Sequence, residues 1–148
     1  MGVFGLMRRV LGRAKEPSLL YKVSDGRVAF VGYGFFIQEI AGESHYQSEL
    51  GKIAGPKTDA GANHEAIAHL VPEPTNKFDR RAIRVEIDGM TVGYIPKDDF
   101  DLFNGVLKGR TGVVKARING GWDRGKRGSA LFGVELDVAY EGMEAVKP

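Results

Sequence analysis

The sequence predicts a mainly β domain (α+β in detail) with one or two short helices, and three observations predict it. Glycine accounts for 21 of the 148 residues and is scattered without a period, which suits a chain that turns often. Ile83, Val85 and Ile87 alternate with Arg84 and Glu86 at strand period, Asp88-Gly89 supplies a tight turn, and residues 91–95 return as the partner strand. Further runs rich in β-branched and aromatic residues lie at 28–40, 113–118 and 131–140. A small closed or half-closed barrel is the natural way for so many short strands to bury one face. The length suits one core, since two domains would each be short of buried surface.

Taken in order, residues 1–15 set Val3, Phe4, Leu6, Met7, Val10 and Leu11 against Arg8, Arg9, Arg13 and Lys15, a basic amphipathic segment at helical spacing. A docking helix or frayed tail, a membrane-surface helix and a DNA-contacting arm all fit that pattern. The segment is too short and too charged for a secretory signal, and no small-residue cleavage site follows it. Glu16-Pro17-Ser18 marks a boundary, so residues 1–27 divide as an N-terminal segment and linker from a domain spanning 28–148. Within the linker, residues 19–23 can form a short strand, followed by a Ser24-Asp25-Gly26 turn.

Residues 28–40 read as one or two strands, the second running 35–41 until Gly42 breaks it. Ser44 can cap a helix reaching about Ile53, with Leu50 and Ile53 on its buried side. A polar loop over 55–63 precedes a strand at 64–71, which exits through Pro72-Glu73-Pro74. After the 82–95 hairpin, a short helix buries Phe100, Leu102, Phe103 and Val106. The strands 113–118 and 131–140 should pair across the basic loop 119–129.

Composition excludes several chemistries. With no cysteine, the chain has neither disulfides nor thiolate nucleophiles nor cysteine-held zinc. No apolar run approaches the roughly 20 residues of a membrane span, and a cytoplasmic setting fits both facts. His64-Glu65 with His69 misses the zinc-protease spacing: five apart, the histidines diverge on a helix and take opposite faces of a strand. Gly32-Tyr33-Gly34 lacks the third glycine of a dinucleotide loop, and Gly42-Glu43-Ser44-His45-Tyr46 lacks the second glycine of a nucleophile elbow. Asp98-Asp99 opens a helix, where the dipole favours acids. No catalytic or metal-ligating constellation emerges. Net charge is only +2, but Lys108, Arg110, Lys115, Arg117, Arg124, Lys126 and Arg127 crowd one segment against Asp123 alone.

Four ordered pieces carry a resemblance. They are Ile40-Ala41-Gly42-Glu43-Ser44-His45-Tyr46; Leu70-Val71-Pro72-Glu73-Pro74; Asn76-Lys77-Phe78-Asp79 with Ala82-Ile83-Arg84-Val85; and Asp88-Gly89 with Val92-Gly93-Tyr94-Ile95. Together, over about residues 35–137, they resemble the HIRAN family, found at the N-terminus of certain DNA-remodelling helicases and as stand-alone bacterial and phage proteins. The resemblance implies an OB-like barrel that in the family's eukaryotic members holds single-stranded DNA by its 3′-hydroxyl end; the module expected here needs no metal or cofactor. By motif position it puts Phe78 at the base-stacking aromatic, Asp79 at the hydroxyl-binding aspartate and His45 and Tyr46 at an aromatic pair. Tyr94 and Lys97 fall in the segment of phosphate contacts. Ser44 departs from the arginine of the helicase members, His45 from a tyrosine, Phe78 from a stacking tyrosine whose hydroxyl it lacks, and Tyr94 from a polar phosphate contact.

The residues also allow plainer roles. Phe78 could be core, Asp79 could bond backbone N–H groups ahead of Arg80 and Arg81, and one of His45 and Tyr46 could pack inside. Trp122 with Arg124, Lys126 and Arg127 is either a second DNA contact or a solvated loop. The expectation is a non-enzymatic single-stranded DNA module serving repair, replication or phage–host conflict, with a helicase or nuclease as the implied protein partner. The alternative is a protein-interaction module docking through the barrel and the amphipathic N-terminus.

Overall fold

The computed structural model describes residues 18–144, so the amphipathic segment lies outside the described residues except for its exit at Ser18. Among the described residues eight strands and two α-helices follow one another: β1 (Tyr21–Ser24), β2 (Arg27–Phe30), β3 (Gln38–Glu39), α1 (Gln47–Ala54), β4 (His64–Pro72), β5 (Ile83–Ile87), β6 (Met90–Tyr94), α2 (Phe100–Leu107), β7 (Gly112–Gly120) and β8 (Phe132–Leu136). The fold is mainly β, as expected. Residues 18–27, placed in the linker by sequence, are built into it: β1 pairs with β2, and Leu19 is buried and bridges Tyr140.

The sheet runs β1-β2-β7-β4-β5-β6, with β8 joining β7 to β3. Nine-residue β7 is its spine. One edge of β7 takes β2 in parallel at its start and β8 at its end, while β4 runs antiparallel along the other edge. The predicted hairpin forms as β5 and β6. Ile83, Val85 and Ile87 are buried while Arg84 and Glu86 face outward. Asp88 and Gly89 both take positive φ, 53° and 75°, as a two-residue hairpin turn requires.

The expected barrel does not close through strand pairing. The predicted strand 35–41 contracts to the two residues of β3, and among the described residues the gap to β6 is spanned by a single antiparallel bridge between Ala41 and Tyr94. The cause lies in the segment before β3. Buried Asp137 accepts the Gly34 N–H at 3.0 Å and the Phe36 N–H at 3.5 Å, looping the chain where it would otherwise extend. At the bridge, Gly93 is needed for closeness: a Cβ there would stand 2.6 Å from the Ala41 carbonyl oxygen.

The helices seal the sheet's inner face. Leu50 of α1 is buried and Ile53 packs against the core. Phe100, Phe103, Val106 and Leu107 of α2 are buried, with Leu102 partly so. The expected cap at Ser44 is corrected. Ser44 sits in a 3₁₀ turn, and α1 begins at Gln47 without a side-chain cap. Gln47 supplies the anchorage instead: its Nε2 donates to the carbonyls of Glu43 (2.9 Å) and Phe132 (3.0 Å), and its Oε1 accepts the Phe132 N–H at 2.8 Å.

Candidate nucleic-acid interface

The loop between β4 and β5 is braced by its own side chains. Glu73 N–H donates to the Ala82 carbonyl at 2.9 Å and closes the neck. Inside, Asn76 Oδ1 accepts the N–H groups of Phe78 (2.9 Å) and Asp79 (3.1 Å), while its Nδ2 donates to Glu73 Oε1 at 2.9 Å. Asn104 on α2 then donates to the Arg81 carbonyl at 2.8 Å. At the tip of this frame the Phe78 side chain is 98% exposed. A single exposed apolar residue is ordinary on a protein surface. A ring held clear of the core by a fixed loop is less so, because it cannot fold back to bury itself.

Asp79 beside it is largely committed. Its Oδ1 accepts Arg81 N–H at 2.8 Å and Nε at 3.2 Å, and its Oδ2 accepts Nη2 at 3.0 Å. These occupy three of the roughly four acceptor positions of a carboxylate. The Arg81 guanidinium, then the Arg81 N–H, hold the Asp79 carboxyl below its usual range, and Lys97 adds attraction. Arg81 also reaches Asp101 at 3.3 Å. Of the readings open for these two residues, core packing fails for Phe78, and turn bonding is realised for Asp79.

Behind the loop lies a cleft of about 430 Å³ lined by Pro72, Glu73, Pro74, Lys77, Arg84 and Tyr94 among others. Its floor is a polar network. Arg84 donates to Glu73 Oε2 at 2.8 Å and to Glu86 through both Nε and Nη2. Tyr94 donates its hydroxyl to Glu73; burial, then that bond, push the phenol up to about 12. Burial pulls the Glu73 carboxyl up, but hydrogen bonds from Asn76, Arg84 and Tyr94 outweigh it and hold it low. Tyr46 is near enough to Tyr94 to act on it through charge. The network thus runs from Tyr94 through Glu73 to Asn76, and so to the Phe78 backbone.

The sequence-predicted residues divide in two. Phe78, Asp79, Tyr94, Lys97, Tyr46 and, in the adjoining 3₁₀ turn, exposed His45 gather where β4 ends. Trp122, Arg124, Lys126 and Arg127 lie beyond the start of β4, where His64 pairs with Ile118 and Thr58 bridges Trp122. The length of β4 separates the groups, on the order of 25 Å. Sequence reasoning missed Glu73, Asn76, Arg81 and Arg84 as the parts that hold the loop. Strand alternation put Arg84 on the outer face, and the Asn76 to Asp79 spacing is turn chemistry, but nothing local joins them to Glu73.

Among the described residues, no three His, Asp or Glu side chains converge where a metal ion could sit, and no helix is long and apolar enough to cross a membrane. No family model, curated protein or solved structure matches the chain.

Proposed function

We propose that this chain is a non-enzymatic module for single-stranded DNA, of HIRAN-like type, with Phe78 as its stacking ring. The exposed, pre-set ring carries this reading. A base laid on an aromatic face contributes about 1–3 kcal/mol whatever its identity. A loop whose backbone is already braced saves the ordering cost that a mobile loop would incur on binding. Lys77 on the loop and Lys97 across from Asp79 are exposed and suited to phosphates on either side of the stacked base. Asp79 favours a strand end. A phosphate against its carboxylate would be repelled, whereas a terminal hydroxyl can donate into the acceptor position that Arg81 leaves on Oδ2.

Fluorescence anisotropy with labelled oligonucleotides tests the reading in two steps. At low salt the chain should bind single strands, and Phe78→Ala should weaken binding roughly 5- to 150-fold, the equivalent of one stacked base. A 3′-phosphate should bind more weakly than a 3′-hydroxyl. Equal affinity for the two ends removes the end preference, and no binding at low salt removes nucleic acid.

A further inference from the structure

The second group of candidates forms a surface of its own. The loop joining β7 to β8 folds on Trp122: Asp123 N–H donates to the Thr58 carbonyl at 2.8 Å, Asp123 Oδ1 accepts Gly125 N–H at 2.9 Å, and Arg124 N–H reaches the Gly128 carbonyl at 2.9 Å. Arg124 lays its guanidinium over the Trp122 ring, 4.3 Å from the centroid, and anchors Nε on the Asp59 carbonyl at 3.1 Å. One face of that planar cation therefore has an aromatic backing, the arrangement in which the opposite face can accept a base. Lys126 and Arg127 follow in an exposed 3₁₀ turn. Asp123, the one acid within this segment, has an oxygen committed to the turn.

Between this loop and the Phe78 loop runs the outer face of β4 and β7. Ile67, 49% exposed, stands directly opposite exposed Lys115, and Arg117 sits next along β7 with its guanidinium 4.5 Å from the Phe36 ring centroid. Ile67 beside Lys115 sets an apolar surface next to a cation, which suits a base and its phosphate; Arg117 is already paired with Glu135 at 3.5 Å and faces Glu65 across the strands, so this stretch leans on Ile67 and Lys115.

We propose that one DNA strand makes a second contact at the Trp122-backed loop, running from Phe78 along the outer face of β4 and β7 to Arg124, Lys126 and Arg127. This rests on the single-stranded DNA reading of the Phe78 loop and gives it a length. A span on the order of 25 Å takes no more than about seven nucleotides at the 3.4 Å spacing of a stacked strand. Strands confined to the Phe78 end use one contact; longer ones use both.

The test is a salt series of anisotropy titrations on the full chain with three- and fifteen-nucleotide oligothymidine, the shorter too short to span both loops even when unstacked. Wild type should lose affinity with salt more steeply for the longer strand. Lys126→Ala/Arg127→Ala should lower that log–log slope by about 1.4 for the longer strand, two phosphates at about 0.7 each, and leave the three-nucleotide isotherm unchanged. Both side chains are exposed, so the fold should tolerate the change. An unchanged slope for the longer strand, with Phe78→Ala still weakening the shorter one, overturns the second contact and spares the first. Failure of both strands to bind wild type at low salt overturns both.

Discussion

Asn76→Ala should weaken DNA binding although Asn76 itself contacts the fold and not the ligand. Truncation removes the acceptor of the Phe78 and Asp79 N–H groups and the donor to Glu73. Each such bond contributes a net 0.5–1.5 kcal/mol or so, and at an exposed loop, where water can replace the partner, the lower end applies. The stability loss should therefore be about 1–2 kcal/mol. The larger consequence is local. Without the latch, residues 77–79 must be ordered at the moment of binding, at about 1–2 kcal/mol per residue fixed. If one residue's freedom is regained, affinity falls about 5- to 30-fold; with more, it falls further. Amide hydrogen exchange at Phe78 and Asp79 should accelerate in the variant, and anisotropy should report the weaker binding while Phe78 remains in place. A variant whose amides exchange faster but whose affinity equals wild type would refute the claim that pre-setting the ring matters. One whose amides exchange as before would refute the latch itself.

The other expectations concern stability. Gly32→Ala would place a Cβ 2.3 Å from Asp137 Cγ and 2.4 Å from its carbonyl oxygen, so the urea midpoint should fall by the equivalent of about 1–3 kcal/mol; an unchanged midpoint would mean that the segment before β3 is not clamped. Glu73 has a carboxyl held below its usual range in the fold, so its stabilisation is complete above the unfolded carboxylate range and drains as pH falls through the folded value. The gap in urea midpoint between wild type and Glu73→Gln should therefore be widest near neutrality and narrow below about pH 4.5; a gap independent of pH would contradict this. Glu43 is the reverse case, pushed up by burial. Glu43→Gln should raise the midpoint at pH 7, and the gain should fade in acid as the native carboxyl takes its proton; a loss at pH 7 would mean its backbone bonds outweigh its burial.

What was legible in the sequence follows from range. The β5–β6 hairpin was readable because alternation and the Asp88-Gly89 turn are local, and the apolar face of α2 because its repeat fits within eight residues. The α1 start was misplaced because Gln47 is fixed by Phe132, 85 residues away, and this outweighs a capping serine. The strand before β3 was lost to Asp137, more than 100 residues distant. Neither the parallel pairing of Val28 with Gly112 nor the division of the candidate residues between the two ends of β4 leaves any local trace. At the site, the turn role of Asp79 was written in its spacing from Arg81. The exposure of Phe78 was not, since an apolar residue next to a turn looks the same whether it packs inward or stands clear.

The central claim is that the Phe78 ring lies against a base, and ring proton shifts measure this most directly. Titrating the isotopically labelled chain with a short single-stranded oligonucleotide should move the Phe78 aromatic resonances upfield through the ring current of a stacked base, with Tyr94 and Lys97 shifting alongside. Saturation of the protein with Phe78 signals unmoved would place any binding elsewhere and contradict the account.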